Sequence, residues 1–483
     1  MVDKSSTIFH NEMNKKTIKS ANKSKKKYIK KYGDDTNANY TFALNDIEAL
    51  DFLGAKNLVI SDKNEKIPEN AVIVGNIRMG YGHYRISIAM ASCAKALGYE
   101  PIWLDLASFN ETTGSKMIQE QNRMYSLASR ISQKSKLFNK FVWDPLNCEG
   151  FKKISYNAKD QKNSELLVPI FRNIPKDIPY VATHVWPSQA AIHAGMTHVV
   201  NAIPDNWPMA LHLSEGAIHT VQTEYAYLGY KTFNGFDKKP LNGMLDEDLK
   251  NVGCYVDHEL LVNLEEDNLR RINRVKNNKP IRFLFTVGGA GAGYKQFLEA
   301  VKHLLPYVKE NKATLFINFG DHLDSLEKMQ KYLGSAGFFV FKDEFSKVKK
   351  FAEDAYNKDI NGVYLIYNSN IFEAVYSTNL LMPCSDVLVT KPSELVYYPI
   401  PKIFMKHIGG HEVYGAIHGR EYGDASWECD TKEKMNFMID KMINDKEIIP
   451  HMCEVINKLK KEEYYDGAYK CIKLAVEGRK LNK

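Results

Sequence analysis

Short, continuous apolar runs alternate along this chain with longer stretches in which apolar residues return every three or four positions. The first pattern predicts buried strands and the second amphipathic helices. Strands are expected at 71–77 (AVIVGNI), 100–107 (EPIWLDLA), 178–186 (IPYVATHVW), 197–206 (THVVNAIPDN) and 216–223 (GAIHTVQT). Helices are expected over 85–97 (RISIAMASCAKAL), in a long polar region reaching about residue 165, and over SQAAIHAG, which Gly195 closes. A short helix and a strand precede them within 46–62. A charged helical stretch, 258–279, stops before Pro280, and the alternation restarts. Strands follow at 281–293, 313–322, 362–370, 386–392 and 401–412, with helices at 294–311, 371–380 and between the others. The last fifty or so residues carry Lys, Glu and Ile at helical spacing.

Apolar strands separated by helices imply parallel sheets covered on both faces. The expected fold is α/β: two Rossmann-like, doubly wound parallel-sheet domains facing a cleft. Ligands in such sheets bind outside the carboxyl ends of the strands. The expected boundaries are 1–40 for a Lys-rich, disordered tail, 41–265 for the first domain, 280–430 for the second, and 431–483 for C-terminal helices.

Composition adds less than its location. The chain has 483 residues, 44% hydrophobic and 25% charged, as expected of a globular protein of two or three domains. No apolar run approaches the roughly 18 to 20 residues of a membrane span. The opening MVDKSSTIFHNEMNKK lacks the apolar core of a secretory signal, so a cytoplasmic location is expected. Seven scattered cysteines without a C-x-x-C pair suggest reduced thiols and no zinc site. The net charge is +7, and residues 1–40 alone carry ten lysines against four acidic residues. The excess sits in 15–33, KKTIKSANKSKKKYIKKYG. A solvated extension or a peripheral anchor on anionic lipid fits it better than a nucleic-acid arm, because arginine is absent and aromatics are sparse.

The candidate chemistry lies in loops after strands. In Met79-Gly80-Tyr81-Gly82-His83, glycines permit close backbone approach at a helix start, and histidine, here His83, is the residue type suited to take a proton from a hydroxyl near neutral pH. Gly288, Gly289, Gly291 and Gly293 form a denser loop suited to a phosphate or diphosphate. It is neither a dinucleotide fingerprint nor a Walker loop. Lys391, Ser393 and Glu394 follow DVLV. The lysine suits phosphate oxygens, and the glutamate suits ribose hydroxyls or a helix dipole. His411 and Glu412 lie in the GGHE loop, and His184, Asp205 and His212 in loops of the first domain. Each alone reads as a structural residue; their joint position at strand ends raises a functional reading.

With these motifs in order, roughly 70–425 resembles a GT-B glycosyltransferase of family 28, the group of monogalactosyldiacylglycerol synthases, processive diacylglycerol glucosyltransferases and the peptidoglycan lipid N-acetylglucosaminyltransferase. MGYGHYRISIAMASCAKALGYE resembles their G-x-G-H loop and helix, and ATHVWPSQAAIHAG their T-H-x-x-P-S helix. FTVGGAGAG, DVLVTKPSELVYYPIPKIFM and GGHEVYGAIHGREYGDAS resemble successive motifs of their nucleotide-binding domain. Two departures stand out. The glycines that follow Lys-Pro in the family are missing, so Pro392 runs into Ser393-Glu394, and Tyr84 replaces an arginine.

The resemblance implies inverting transfer of a hexose from a UDP-sugar to an acceptor hydroxyl, on a lipid or glycan, with no metal and no cofactor besides the donor. It implies His83 as general base, with Asp205 as the alternative. Donor contacts would come from Gly288, Gly289, Gly291, Gly293, Gly320, Lys391, Ser393, Glu394, His411 and Glu412. Acceptor contacts would come from Gly80, Gly82, His184, Trp186 and His212. The shortened loop is the basis of an alternative, a nucleotide-sugar-binding or scaffolding protein without turnover. A UDP-N-acetylhexosamine 2-epimerase is another, though the carboxylate cluster it needs is not apparent. A periplasmic-type binding protein would require an export signal.

Overall fold

The computed structural model describes residues 3–134, 137, 142, 145–288 and 293–478. The chain forms two compact units: residues 1–79, 86–257 and 466–483 make the first, and 80–85 with 258–465 the second.

The first unit opens with a hairpin of β1 (Thr7–Ile8) and β2 (Asn11–Glu12). Its main strands are β3 (Phe42–Asp46), β4 (Lys56–Ile60), β5 (Ala71–Asn76), β6 (Glu100–Asp105), β7 (Tyr180–Ala182), β8 (Val199–Ala202), β9 (Ile218–Val221) and β10 (Leu249–Asn251). They form one sheet in the order β10-β9-β8-β7-β5-β6-β4-β3, parallel except for the β3–β4 pair. Every residue of β5 is buried, as a central strand covered on both faces requires.

The expectation of a disordered tail over 1–40 is corrected. Residues Lys15–Tyr32 form helix α1. Asn14 caps it by accepting from the Thr17 amide at 2.9 Å, and Gly33 ends it at φ +99°. Ala21, Lys25, Tyr28 and Tyr32 share the inward face. Tyr28 is buried, Lys25 pairs with Glu165 at 2.6 Å, and Tyr32 donates to Glu120. About five turns of lysine-rich helix are thus stabilised by one apolar and paired face, while Lys15, Lys16, Lys19, Lys23, Lys26, Lys27, Lys30 and Lys31 stay exposed. Upstream, Phe9 packs edge-on against Phe233 at 5.8 Å.

The C-terminal boundary is also corrected. Helices Lys432–Asn444 and Ile448–Lys461 belong to the second unit, whereas Gly467–Glu477 belongs to the first. That last helix buries Ala468, Cys471, Ile472 and Ala475, and the Cys471 thiol meets the Thr220 hydroxyl at 3.2 Å.

The second unit holds β11 (Ile281–Thr286), β12 (Ala313–Asn318), β13 (Phe339–Lys342), β14 (Gly362–Tyr367), β15 (Val387–Thr390), β16 (Lys402–Met405) and β17 (Ala425–Cys429). All are parallel, in the order β13-β14-β12-β11-β15-β16-β17. Phe283, Phe285, Leu315, Ile317 and Val389 build its core, each buried aliphatic or aromatic side chain contributing roughly 1.5–3 kcal/mol. The two Rossmann-like, doubly wound units are the expected fold class. Among the described residues, no helix is long and apolar enough to cross a membrane.

Candidate functional site

From β11 the second sheet grows to one side through β12 and to the other through β15, so the strand order reverses between β11 and β15. A crevice opens at the carboxyl ends of two such strands because their following connections leave in opposite directions. Thr286 ends β11 and Thr390 ends β15, and their hydroxyls meet at 3.2 Å. Beyond them lies a narrow recess, partly open to solvent, lined by residues including Gly288, Thr390, Lys391, Ser393 and Glu394. A second narrow recess lies beside Gly293, Tyr294 and Lys406 and shares Thr286, Gly288 and Lys391 with the first. Burial pushes the Tyr294 phenol up.

The loop after β15 is tight. The Ser393 amide donates to the Lys391 carbonyl at 2.9 Å, and a single helical turn, Glu394–Tyr397, starts at once. Among the described residues, no hydrogen bond or ion pair engages the Glu394 carboxylate. Lys391 donates to Glu412 at 2.5 Å, and Glu412, 7% exposed, accepts from the Ile408 amide at 2.8 Å. Glu412 therefore holds the lysine and the GGHE loop together. The Lys391 stem runs close to Gly288: a Cβ there would lie 2.9 Å from Lys391 Cε.

Residues 80–85 fold with this unit. Gly82 faces Glu394, whose side chain lies 3.7 Å from where a Gly82 Cβ would stand. The loop carrying the sequence's candidate base and the candidate ribose-binding glutamate therefore meet. Gly80 has φ +84° and open space around it. His83, the second residue of α2 (Gly82–Ala96), is half-buried. Tyr81 crosses to the loop after β12, where its hydroxyl donates to Asp321 and accepts from the Asp321 amide at 2.8 Å. The space in front of Gly320 is filled by the Tyr81 ring. Gly289 and Gly291 lie outside the described residues, as does the His411 side chain.

In the first unit, Asp205 and His212 come together after β8, the carboxylate 3.2 Å from Nε2. His212 is buried and Asp205 is more open, at 37% side-chain exposure. His184 caps helix Val185–His193, its Nδ1 accepting from the Trp186 amide at 3.1 Å. The assignment of Trp186 to an acceptor surface is corrected: its indole is 5% exposed and packs in the core around Ile170 and Tyr180. An apolar strand end next to an apolar helix draws a tryptophan inward.

Residues 7–232 match a domain of unknown function, DUF6937, and residues 244–476 match a second, DUF6938. No curated protein matches the chain. Among solved structures, it is similar to MnaA of S. aureus in complex with UDP, at 14% identity and a TM-score of 0.45, covering 83% of this chain and 94% of that one. It is similar to UDP-GlcNAc 2-epimerase of Neisseria meningitidis bound to UDP-GlcNAc, at 10% identity and TM-score 0.44, covering 84% and 100%. It is also similar to an alpha,alpha-trehalose-phosphate synthase (UDP-forming) of Burkholderia vietnamiensis, at 9% identity and TM-score 0.43, covering 84% and 98%.

Among the recess residues that the sequence did not single out, two carry polar chemistry from the loop and helix start before residue 86. Tyr81 and Arg85 both line the recess, beside Asn318 of β12. Arg85 did carry a signal: it is a cation entering the apolar helical run ISIAMASCA. Such an arginine must find a buried partner or a ligand.

Proposed function

We propose that this chain binds a nucleoside-diphosphate sugar at the carboxyl ends of β11 and β15 and transfers the sugar to an acceptor hydroxyl. The observation that carries the reading is the Glu394 carboxylate, unengaged among the described residues, in the recess at the strand-order reversal, beside Gly288 and Lys391. A carboxylate there can accept both hydroxyls of a ribose, while backbone N–H groups and the lysine face the diphosphate. His83 is the proposed base. It takes the acceptor proton as the hydroxyl oxygen attacks the anomeric carbon; the bond from that carbon to the diphosphate breaks, and the electron pair leaves with the nucleoside diphosphate. Attack opposite the leaving group inverts the anomeric centre. Asp205, held by His212, is the alternative base. No metal is invoked in this scheme.

Calorimetric titration with UDP, UDP-glucose, UDP-galactose, UDP-N-acetylglucosamine and ADP-glucose tests the donor site. Micromolar binding of one sugar nucleotide, weakened in Glu394→Ala, supports it; no binding of any would end it. Release of free nucleoside diphosphate on adding acceptors then separates a transferase from a protein that binds without turnover, the reading favoured by the shortened Lys391–Glu394 turn. Conversion of a UDP-N-acetylhexosamine to its 2-epimer would instead identify an epimerase.

The acceptor we propose is lipid-borne, with the exposed lysine face of α1 resting on anionic headgroups at an inner membrane face. Equal sedimentation with neutral and anionic vesicles would leave a soluble glycan as the acceptor.

A further inference from the structure

Arg85 is 2% exposed, yet little in the protein satisfies it. Its Nη1 donates to the neutral amide of Asn379 at 2.7 Å, its plane lies over the Tyr398 ring at 5.7 Å, and Nε has no hydrogen-bond partner. Among the described residues, no carboxylate lies within ion-pair distance of the guanidinium.

Two other buried arginines of the same unit behave differently. Arg271 directs Nε and Nη2 at the Ser385 and Met382 carbonyls, at 2.8 and 3.0 Å. Arg282 directs Nη1 and Nη2 at the Ala355 and Lys358 carbonyls, at 2.5 and 2.7 Å. Those side chains brace the fold. Arg85 lines the recess at the ends of β11 and β15 with most of its five donors unspent.

A buried cation without a counter-ion is costly, and the cost falls when an anion enters. The neighbouring Lys391 is already matched by Glu412, so it offers little net charge to a ligand. Among the described residues, the recess therefore presents Arg85 as an uncompensated cation and Glu394 as an unengaged carboxylate. That pattern suits a ligand with phosphate at one end and hydroxyls at the other.

We infer that Arg85 is the phosphate-binding cation of this recess, taking a phosphate of the nucleoside diphosphate through its unspent N–H groups. The inference rests on the nucleotide-sugar reading above for the identity of the ligand, though not for its charge. It assigns to the first turn of α2 a role in holding the donor.

The test uses the full chain with Arg85→Met and Arg85→Lys, titrated with UDP, uridine and inorganic pyrophosphate, and melted without ligand. Arg85→Met is expected to lose roughly 10- to 100-fold in affinity for UDP and pyrophosphate, the range of a charge-assisted contact. Its ligand-free melting temperature should equal or exceed that of the wild type, because an unmatched buried charge is gone. Arg85→Lys should retain part of the affinity. Wild-type affinity for UDP in both variants would overturn the inference and leave the nucleotide reading intact. So would a fall in the ligand-free melting temperature of Arg85→Met with undiminished UDP affinity in Arg85→Lys. Arg85-dependent binding of pyrophosphate with no preference for UDP would uphold the inference and defeat the nucleotide reading. No anion binding by the wild type would defeat both.

Discussion

Lys391 and Glu412, twenty-one residues apart in the chain, are joined by a 2.5 Å hydrogen bond. Both had been expected to touch the donor, and the structure has them satisfy each other first. Because Glu412 also holds the Ile408 amide, it acts on the site by positioning. Glu412→Ala should therefore lower stability by about 1–3 kcal/mol, since a mostly buried ammonium and an amide lose their acceptor. Urea unfolding of Glu412→Ala, Lys391→Met and the double variant checks this. A double variant no less stable than Glu412→Ala alone is expected, and simple additivity would show the two residues to be independent.

Glu394→Ala should weaken nucleotide binding by about 10-fold or more while leaving the unfolding midpoint within error, as removing a half-exposed carboxylate without internal partners has little to break. A large loss of stability would mean that Glu394 serves the turn and not a ligand.

Gly320 has φ +61°, and a Cβ there would stand 2.2 Å from the Tyr81 hydroxyl and 2.7 Å from two ring carbons. Gly320→Ala should cost roughly 1–3 kcal/mol from backbone strain alone, with the clash in addition. Adding Tyr81→Phe should not rescue it, because the ring carbons remain. Full rescue in denaturant unfolding would place the whole conflict on the hydroxyl.

Asp160, fully buried on helix Ile154–Ser164, is pushed up to about 7 from 3.8, chiefly by desolvation. The folded state then holds a proton that the unfolded state has released between those values. This group's contribution to stability is therefore fullest below about pH 4 and is lost as pH rises to about 7. Asp160→Asn should be more stable than wild type at pH 8, by an amount on the order of a few kcal/mol, and nearly equal to it at pH 4. Parallel pH profiles for the two proteins would contradict the burial of a titrating carboxyl. His418, driven down to about 4 by burial, works in the opposite sense: its contribution is present above about pH 6.5 and fades as pH falls towards 4.

Tyr28→Ala should destabilise the first unit by about 3 kcal/mol, the cost of emptying an aromatic core site. Deleting 1–33 should cost more and expose the amides of the region around Phe233 to hydrogen exchange. Unchanged melting after that deletion would restore the picture of a loose tail.

The inner strands of both sheets were legible because parallel strands buried on both faces read as unbroken apolar runs, whereas the edge strands β3, β10 and β17 were not. Thr286, Thr390 and the loops after them followed from where those runs stop. Helix α1 was hidden by its lysines. The inward positions Ala21, Lys25, Tyr28 and Tyr32 carry too little hydrophobicity to stand out, although Asn14 and Gly33 marked its ends. Strand β13 was missed because Phe339–Lys342 lies at the sheet edge, where one side pairs and the other does not. Arg85 shows a different limit. Its position in the recess depends on the 80–85 segment folding with a unit whose other residues begin at 258, a contact that spacing along the chain does not encode.

The first unit draws on segments far apart in the sequence, from the hairpin at Thr7 to the helix ending at Glu477. During synthesis its sheet can form early, but Thr220 and the backs of β7 and β8 must wait for helix Gly467–Glu477, which is made after the whole of the second unit. A chain cut between Tyr465 and Gly467 would thus keep every segment of the second unit, while the first, although made earlier, stays unsealed and open to proteolysis.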